Sequence, residues 1–444
     1  MQKVLSVNKI LASVLLFFFI TGSFIPVLNS ILASSALVGD SWNTKTSMNE
    51  PRYRLEVVVV DGKIYAIGGY TSANSVDSVS CGFVGTNECY DSVTDTWTNL
   101  KSMPTPRGDF IIVSCQGKIY CMGGVDGTIF ILGPPILHQL DIVEVYDPIT
   151  DTWESKQEAL PIYVKEGMQA QVINEQIFII TPDGELYMYH SVTDNWSTRK
   201  SLNSQEKFLQ TLVVNKQLFV ITQTTIHMYN PDKDTWTNKT NMPTSRTYAF
   251  SDVLDNKIVV GDFLLSTETN AWGGLFNAQL RVSIYDPISN VWHDGKITDE
   301  HIFATNPVFN AVTIGVTSGV YAPKNVYIFG IEADKEDILN IKPFTWIYNP
   351  VDDVWSTTKV LDTAPYIRGC KIVMIDDVFY MVGGIFNVEY VPIGYNSQGY
   401  PVDRRSSVLT WPIMLVTAVL IASAVTVSLT FYIRKKRDKR AKYE

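Results

Sequence analysis

The sequence predicts an all-β protein in which four-stranded antiparallel sheets repeat along the chain and close into a ring. Two observations carry this. First, an eight-residue stretch that opens with Tyr and ends with Trp is written six times: YDSVTDTW (90–97), YDPITDTW (146–153), YHSVTDNW (189–196), YNPDKDTW (229–236), YDPISNVW (285–292) and YNPVDDVW (348–355). Successive Trp residues lie 40 to 63 apart, a period that points to stacked repeats rather than to separate domains. Second, the stretches between them read as hairpins of short strands, and hydrophobic content of 46% with 12% aromatics is enough to cover them.

One unit can be followed through residues 57 to 69, VVVVDGKIYAIGG. The β-branched run is a strand buried on both faces. Asp61-Gly62 is a hairpin turn of the type that needs positive φ. KIYAIGG returns as a second strand, and its two glycines mark a place where backbone passes close to something else. A variable loop follows, and a third strand reaches the Tyr. The DPITDT stretch turns the chain through Pro and through Asp and Thr side chains that bond back to the backbone. The Trp opens a fourth, outer strand that ends near MPTPR. Such a sheet cannot shield its two apolar faces alone, so neighbours must.

This unit resembles the kelch repeat, with its Gly-Gly return, spaced Tyr and Trp, and Arg after a Pro-containing loop. The resemblance covers residues 40 to 396. Gly-Gly is present at 68–69, 123–124 and 383–384, whereas Thr181-Pro182, Thr222-Gln223, Gly261-Asp262 and Gly330-Ile331 replace it in the middle units. It implies a seven-bladed kelch-type β-propeller of four-stranded antiparallel blades, six or eight blades being the alternatives. Asp40 and Trp42 repeat the end of the Tyr–Trp motif detached from its start, so the N-terminal strand is expected to complete the last blade beside strands from residues 370 to 395. That closure removes two open sheet edges.

The ends of the chain predict a membrane anchor. Residues 1–36 read as a secretory signal peptide or an uncleaved helix, because no charge interrupts Ile10 to Gly39 and two lysines precede it. The propeller is assigned to 37–396 and a linker to 397–406. A second uncharged run lies between Arg405 and Arg434, long enough for a transmembrane helix at 407–433. The basic tail 434–444 (RKKRDKR and after) belongs on the cytoplasmic side. The expected location is the cell membrane, single-pass, with the propeller extracellular.

Function is less legible. A net charge of −9 argues against a nucleic-acid surface, which needs a clustered basic face. Short turns fall on one face of the ring and long loops (70–88, 125–141, 262–281, 331–345) on the other, where recognition is expected. Arg52, Arg107, Arg246 and Arg368 recur at the loops that feed the innermost strands. Either they form a cationic rim, with Asp109, Glu166 and Tyr248 nearby, or they hold blade backbone together. The apolar loop at 127–140 suggests a protein contact, membrane proximity or folding over its own blade. Cys81 and Cys89 are disulfide candidates. Cys115 and Cys121 are expected to be free core cysteines on opposite faces, because Cys115 pairs with Lys118 across a Gln116-Gly117 turn. Asn195 and Asn238 begin glycosylation sequons. No catalytic constellation, metal set or cofactor motif is visible, and no cofactor is expected. His190, His227 and His293 read as blade residues. The expectation is therefore a binding or adhesion module for an extracellular protein or glycan. The alternatives are a surface carbohydrate-active enzyme (galactose-oxidase-like or sugar-epimerase-like) and a structural envelope component.

Overall fold

The computed structural model describes residues 41–400 apart from 72–81, 129–135, 207, 247–248, 270–275, 300–301, 305–312, 321, 334–340, 358–366, 369, 384, 387–390 and 393–395. These residues form an all-β propeller of four-stranded antiparallel sheets. Sheets 1 to 6 occupy residues 56–100, 111–155, 169–199, 208–241, 250–294 and 313–357, each a meander in chain order. Sheet 5 carries one extra strand, Ile302–Ala304, beside its third strand. Sheet 7 is assembled from both ends of the described chain. Lys371–Ile375, Val378–Val382 and Asn396–Tyr400 supply three strands, and Ser41–Thr44 is the outer one.

The closure by the N-terminal strand is as expected, with Ser41 opposite Tyr400 and Trp42 opposite Gly399. Its partner differs from the expectation. The third strand is Asn396–Tyr400, so the propeller reaches residues that were read as linker, and Val391–Pro392 instead joins a small sheet with Ile367–Arg368 and Ile385–Phe386. The expected signal segment, transmembrane helix and basic tail lie outside the described residues. Among the described residues no helix is long and apolar enough to cross a membrane.

The ring is held by an apolar cluster at every junction. Ile67, Phe110 and Tyr146 join sheets 1 and 2, Tyr120, Ile179 and Tyr189 join 2 and 3, and Phe178, Val220 and Tyr229 join 3 and 4. Ile221, Val260 and Tyr285 join 4 and 5, and Val282, Ile328 and Tyr348 join 5 and 6. Tyr327, Phe329 and Phe379 join 6 and 7, and Tyr90, Trp97 and Tyr380 join 7 and 1. Side chains alternate across each strand, so a single strand serves two junctions. Cys115 and Cys121 illustrate this: Cys115 pairs with Lys118, its thiol enters the junction with sheet 3, and Cys121 enters the junction with sheet 1. Both are free and buried, as expected.

The repeated octapeptide is a clasp between sheets. In sheet 2, Tyr146 and Trp153 face each other across the strands, with ring centroids 5.1 Å apart. The Tyr146 hydroxyl donates to Asp151 Oδ1 at 2.8 Å. The same oxygen accepts the Lys101 N–H at 2.9 Å, and Trp153 Nε1 donates to the Lys101 carbonyl at 2.7 Å. One peptide residue leaving sheet 1 is thus gripped from both sides by sheet 2. Thr46, Lys200 and Lys296 are gripped identically by Asp95 and Trp97, Asp234 and Trp236, and Asp353 and Trp355. The acidic residue sits at φ near +50° in every copy, Asn290 being the one amide, which is why Asp or Asn is found there. In sheets 3 and 5 the grip is partial, and the indoles of Trp196 and Trp292 have no hydrogen-bond partner for Nε1.

The clasp predicts how the protein fails. Asp151→Ala strands the Tyr146 hydroxyl and the Lys101 N–H, and urea titration is expected to show a loss of about 1–3 kcal/mol. The Lys101 N–H, then the Tyr146 hydroxyl, hold Asp151 below the usual carboxylate range, and the Lys296 N–H does the same for Asp353. A depressed acid adds stability that is complete above its unfolded value near 4 and is lost as the pH falls through the folded value. Thermal melts from pH 6 downward are therefore expected to drop first below about pH 4, with a shallower drop in Asp151→Asn.

Candidate functional site

The antiparallel meander sends the first-to-second and third-to-fourth connections to one face of the ring, the turn face. The second-to-third loops and the connections between sheets go to the other, the loop face. First strands lie side by side from sheet 7 through sheet 1 and on to sheet 6, so they surround the axis and their starts form the channel mouth on the loop face. The candidate site is this mouth with the hairpins that stand around it.

On this face the strands of three hairpins are lengthened. In sheet 2 the two middle strands run Lys118–Thr128 and Ile136–Asp147, in sheet 5 Lys257–Thr269 and Phe276–Asp286, and in sheet 6 Val326–Ala333 and Ile341–Asn349. The corresponding strands of sheets 1 and 3 have five residues each. Near the tip of the sheet 2 hairpin, His138 Nδ1 lies 3.0 Å from Asp126 Oδ1, and Ile136 is exposed.

Three of the four recurrent arginines do not form a rim. Arg52, Arg107 and Arg246 are fully buried. Arg52 pairs with Glu88 at 2.8 Å and donates to the Ala66 carbonyl at 3.1 Å. Arg107 pairs with Glu144 and donates to the Cys121 carbonyl at 3.0 Å. They therefore tie the entry loop to strands two and three of its own sheet, the backbone-holding alternative. Gly69 makes room for that loop, since a Cβ there would stand 2.7 Å from the Tyr53 carbonyl oxygen, and Gly68 makes room for the entry loop of sheet 2, a Cβ there standing 2.5 Å from the Arg107 carbonyl oxygen; their φ are +104° and +63°. Sheet 5 solves the same problem differently. Asp262 takes the second glycine's place and accepts Arg246, while Ser283 stands where Glu88 and Glu144 do and also binds Arg246. The register there runs straight through Gly261 and Asp262, so no left-handed residue is required.

The other expected site residues scatter. Asp109 is exposed at the mouth, and Glu166 is exposed at the entry to sheet 3. The backbone of Arg368 pairs with Ile385. Tyr248 lies outside the described residues. Cys89 is a free thiol buried in sheet 1; Cys81 lies outside the described residues, and the expected disulfide with it. Asn195 and Asn238 are exposed on outer strands.

Apart from Asp109, the mouth is lined by residues that sequence reasoning did not single out. Arg54 in the entry loop of sheet 1 pairs with Asp109 in the entry loop of sheet 2 at 2.8 Å. Lys371, first in sheet 7, pairs with Glu56, first in sheet 1, at 2.8 Å. Loss of solvation raises Glu56 above the ordinary carboxylate range, against Lys371. It raises Asp109 too, against Arg54 and Lys371. Gln171 of sheet 3 donates to the Thr211 carbonyl of sheet 4 at 3.0 Å, and Gln169 accepts the Thr211 N–H at 2.7 Å. Asp252, on the first strand of sheet 5, is pushed up to about 6 by desolvation. A usable signal existed: Arg54 and Asp109 each stand two residues after a buried arginine, both with φ above +50°.

Among the described residues, no group of three or more His, Cys, Asp and Glu is placed to hold a metal ion. The mouth instead offers a mixed-charge wall on sheets 7, 1 and 2 and an amide wall on sheets 3 and 4. The Kelch motif family profile matches residues 51–104 and 106–158, which are sheets 1 and 2 with their entry loops. The chain is a kelch-repeat β-propeller.

Curated relatives match parts of this kelch propeller. Kelch-like protein 25 of Xenopus tropicalis is 24% identical over 226 residues, 47% of this chain and 36% of its own length. Kelch-like protein 28 of Homo sapiens is 33% identical over 92 residues, 21% of this chain and 16% of its own. Beta-scruin of Limulus polyphemus is 32% identical over 120 residues, 27% of this chain and 12% of its own. The match thus spans well under half the length of these relatives. A solved structure titled "Structure of YjhT" aligns with 71% of this chain and 99% of its own at 11% identity and a TM-score of 0.45.

Two outcomes follow for the kelch propeller. Arg107→Ala leaves Glu144 buried and unpaired, and is expected to cost about 3–5 kcal/mol in denaturant unfolding. For Asp252 the sign is reversed from the clasp acids. Its folded value lies above its unfolded one, so ionisation costs stability as the pH rises through about 6. Asp252→Asn is expected to melt above the wild type at pH 7.5, with the gap closing below about pH 4.

Proposed function

We propose that this chain is a single-pass membrane protein whose seven-bladed propeller lies outside the cell and binds a partner protein or glycan through its loop face. The observation that carries the reading is the one-sided lengthening of the hairpins. Strands of eight to thirteen residues rise around the channel mouth from sheets 2, 5 and 6, while the turns on the other face stay short except for residues 317–325 of sheet 6. Extra backbone on a rigid scaffold is the usual material of recognition. An architectural envelope component needs no such lengthening. Anchoring rests on the uncharged run between Arg405 and Arg434 and the basic cluster after it. Protein binding is also the reading that kelch propellers in general favour.

The enzyme alternative has one observation behind it. Glu56, paired with Lys371, and Asp109, paired with Arg54, are both raised acids at the mouth, the kind of pair that general acid–base chemistry on a sugar would use. It would show as sugar turnover that Glu56→Gln abolishes.

The binding reading is tested by screening the chain in nanodiscs against glycans and surface proteins. A hit is then remeasured with Ile136→Ser and His138→Ala together. Affinity is expected to fall by about tenfold or more, equal to about 1.4 kcal/mol, with the melting temperature unchanged. Unchanged affinity in that variant removes the sheet 2 hairpin from the interface.

A further inference from the structure

The six most exposed large apolar side chains among the described residues all lie on the turn face. Five occupy one position of the repeat, three residues after the Tyr: Val93, Ile149, Val192, Ile288 and Val351, each more than 80% exposed. The sixth, Val320, is in the first-to-second connection of sheet 6. The fold does not ask for them. The turn uses only the backbone N–H at this position, which bonds to the Asp or Asn two residues earlier at 2.9 Å in sheets 1, 2, 5 and 6. In sheet 4 the residue is Asp232, and it makes the same bond to Asn230 at 3.0 Å. A charged residue therefore serves the turn as well as valine does. Single exposed apolar residues are ordinary on a surface; the same one on the same face of five sheets is not what scatter produces.

The chain leaves the propeller on this face. Sheet 7 is cut where every other sheet has its third-to-fourth turn, since Ser41 pairs with Tyr400 at the end that Asp147 and Thr152 occupy in sheet 2. Residues 401–406 separate Tyr400 from the expected transmembrane segment that begins at 407, and fully extended they reach about 20 Å. Three of the acids beside the apolar positions are ion-paired in place: Lys63 pairs with Asp91 at 3.2 Å, Lys118 with Asp147 at 3.3 Å and Lys257 with Asp286 at 3.8 Å. Asp232, the one charge at the apolar position, belongs to sheet 4, one of the two sheets farthest around the ring from sheet 7.

We propose that the turn face rests on the lipid bilayer, with these side chains entering the boundary between headgroups and hydrocarbon. The loop face is then held pointing away from the membrane, open to its partner. This rests on the anchoring stated above, and the occupant follows from where the chain exits and how short its tether is. Valine and isoleucine suit that boundary because each gains by leaving water. Contact is strongest beside the tether, at Val93 of sheet 1 and Val351 of sheet 6, and weakest at Asp232.

The test places an environment-sensitive fluorophore on Cys introduced singly at Val93, Val351, Asp232 and, on the loop face, Ile136. The full chain is reconstituted in phosphatidylcholine vesicles, with the unsubstituted chain giving the background from native thiols. Because Asp232 already serves the same turn, the turn-face variants are expected to fold, and melting of each variant checks this. Labels at 93 and 351 are expected to shift to the blue and to be quenched by nitroxide-bearing lipid, the label at 232 less so and the label at 136 not at all. If the chain floats with the vesicles and resists alkaline extraction, yet labels at 93 and 351 are quenched no more than that at 136, the bilayer contact is wrong and the anchor stands. If the chain does not float, the anchor fails and the contact with it.

Discussion

The structure depends on a hydrogen-bonded grip on one peptide. A carboxylate oxygen receives a tyrosine hydroxyl from its own sheet and a backbone N–H from the sheet before, and a tryptophan indole takes the carbonyl of that same residue. Apolar burial between sheets is larger in energy but has no direction. Tyr, Phe and Val faces would tolerate sliding. The grip supplies register at the outer edge, where burial is thinnest, and it is repeated with the same atoms in sheets 1, 2, 4 and 6. Its left-handed carboxylate residue is the reason that Asp or Asn recurs two places before Trp.

A second constraint works from inside. Buried arginines fasten each entry loop to its own sheet in the blades that have them, and this brings the following residue pair to the channel mouth. Arg54 and Asp109 reach each other because Arg52 and Arg107 are pinned behind them. The mixed-charge wall of the mouth is thus a consequence of the packing of residues that never see solvent. The outer grip and the inner arginines leave the loop-face hairpins free to lengthen, since neither uses their tips. The two faces consequently answer to different demands. One carries third-to-fourth turns of fixed length with an apolar residue the turn itself does not need, and the other carries hairpins of variable length.

Most of the fold could be read before any coordinates. Tyr and Trp seven apart, with an acid between, report a local hydrogen bond and a cross-strand ring pair, and local interactions leave local patterns. The closing strand was legible for the same reason, because Asp40 and Trp42 carry half of that pattern. Its partner was missed. Asn396–Tyr400 is NSQGY, with no apolar alternation, and is a strand because the sheet beside it needs an edge covered. The same limit applied at the mouth. Sequence spacing found Arg52, Arg107 and Arg246 but left open whether they face ligand or backbone. Only the acids at 88, 144 and 262, brought within reach from other strands, decided that they are buried.

What the sequence determined alone was the repeat unit, the identity of its turns and the need for sheets to stack, since each follows from interactions within a dozen residues. The tertiary structure decided which charges meet. Lys371 and Glu56 are neighbours although more than three hundred positions separate them, and the side on which both ends of the chain leave the ring is set by the order of strands in sheet 7. Closure of a ring is a long-range event. It places first and last residues side by side without either one carrying a local mark of the other.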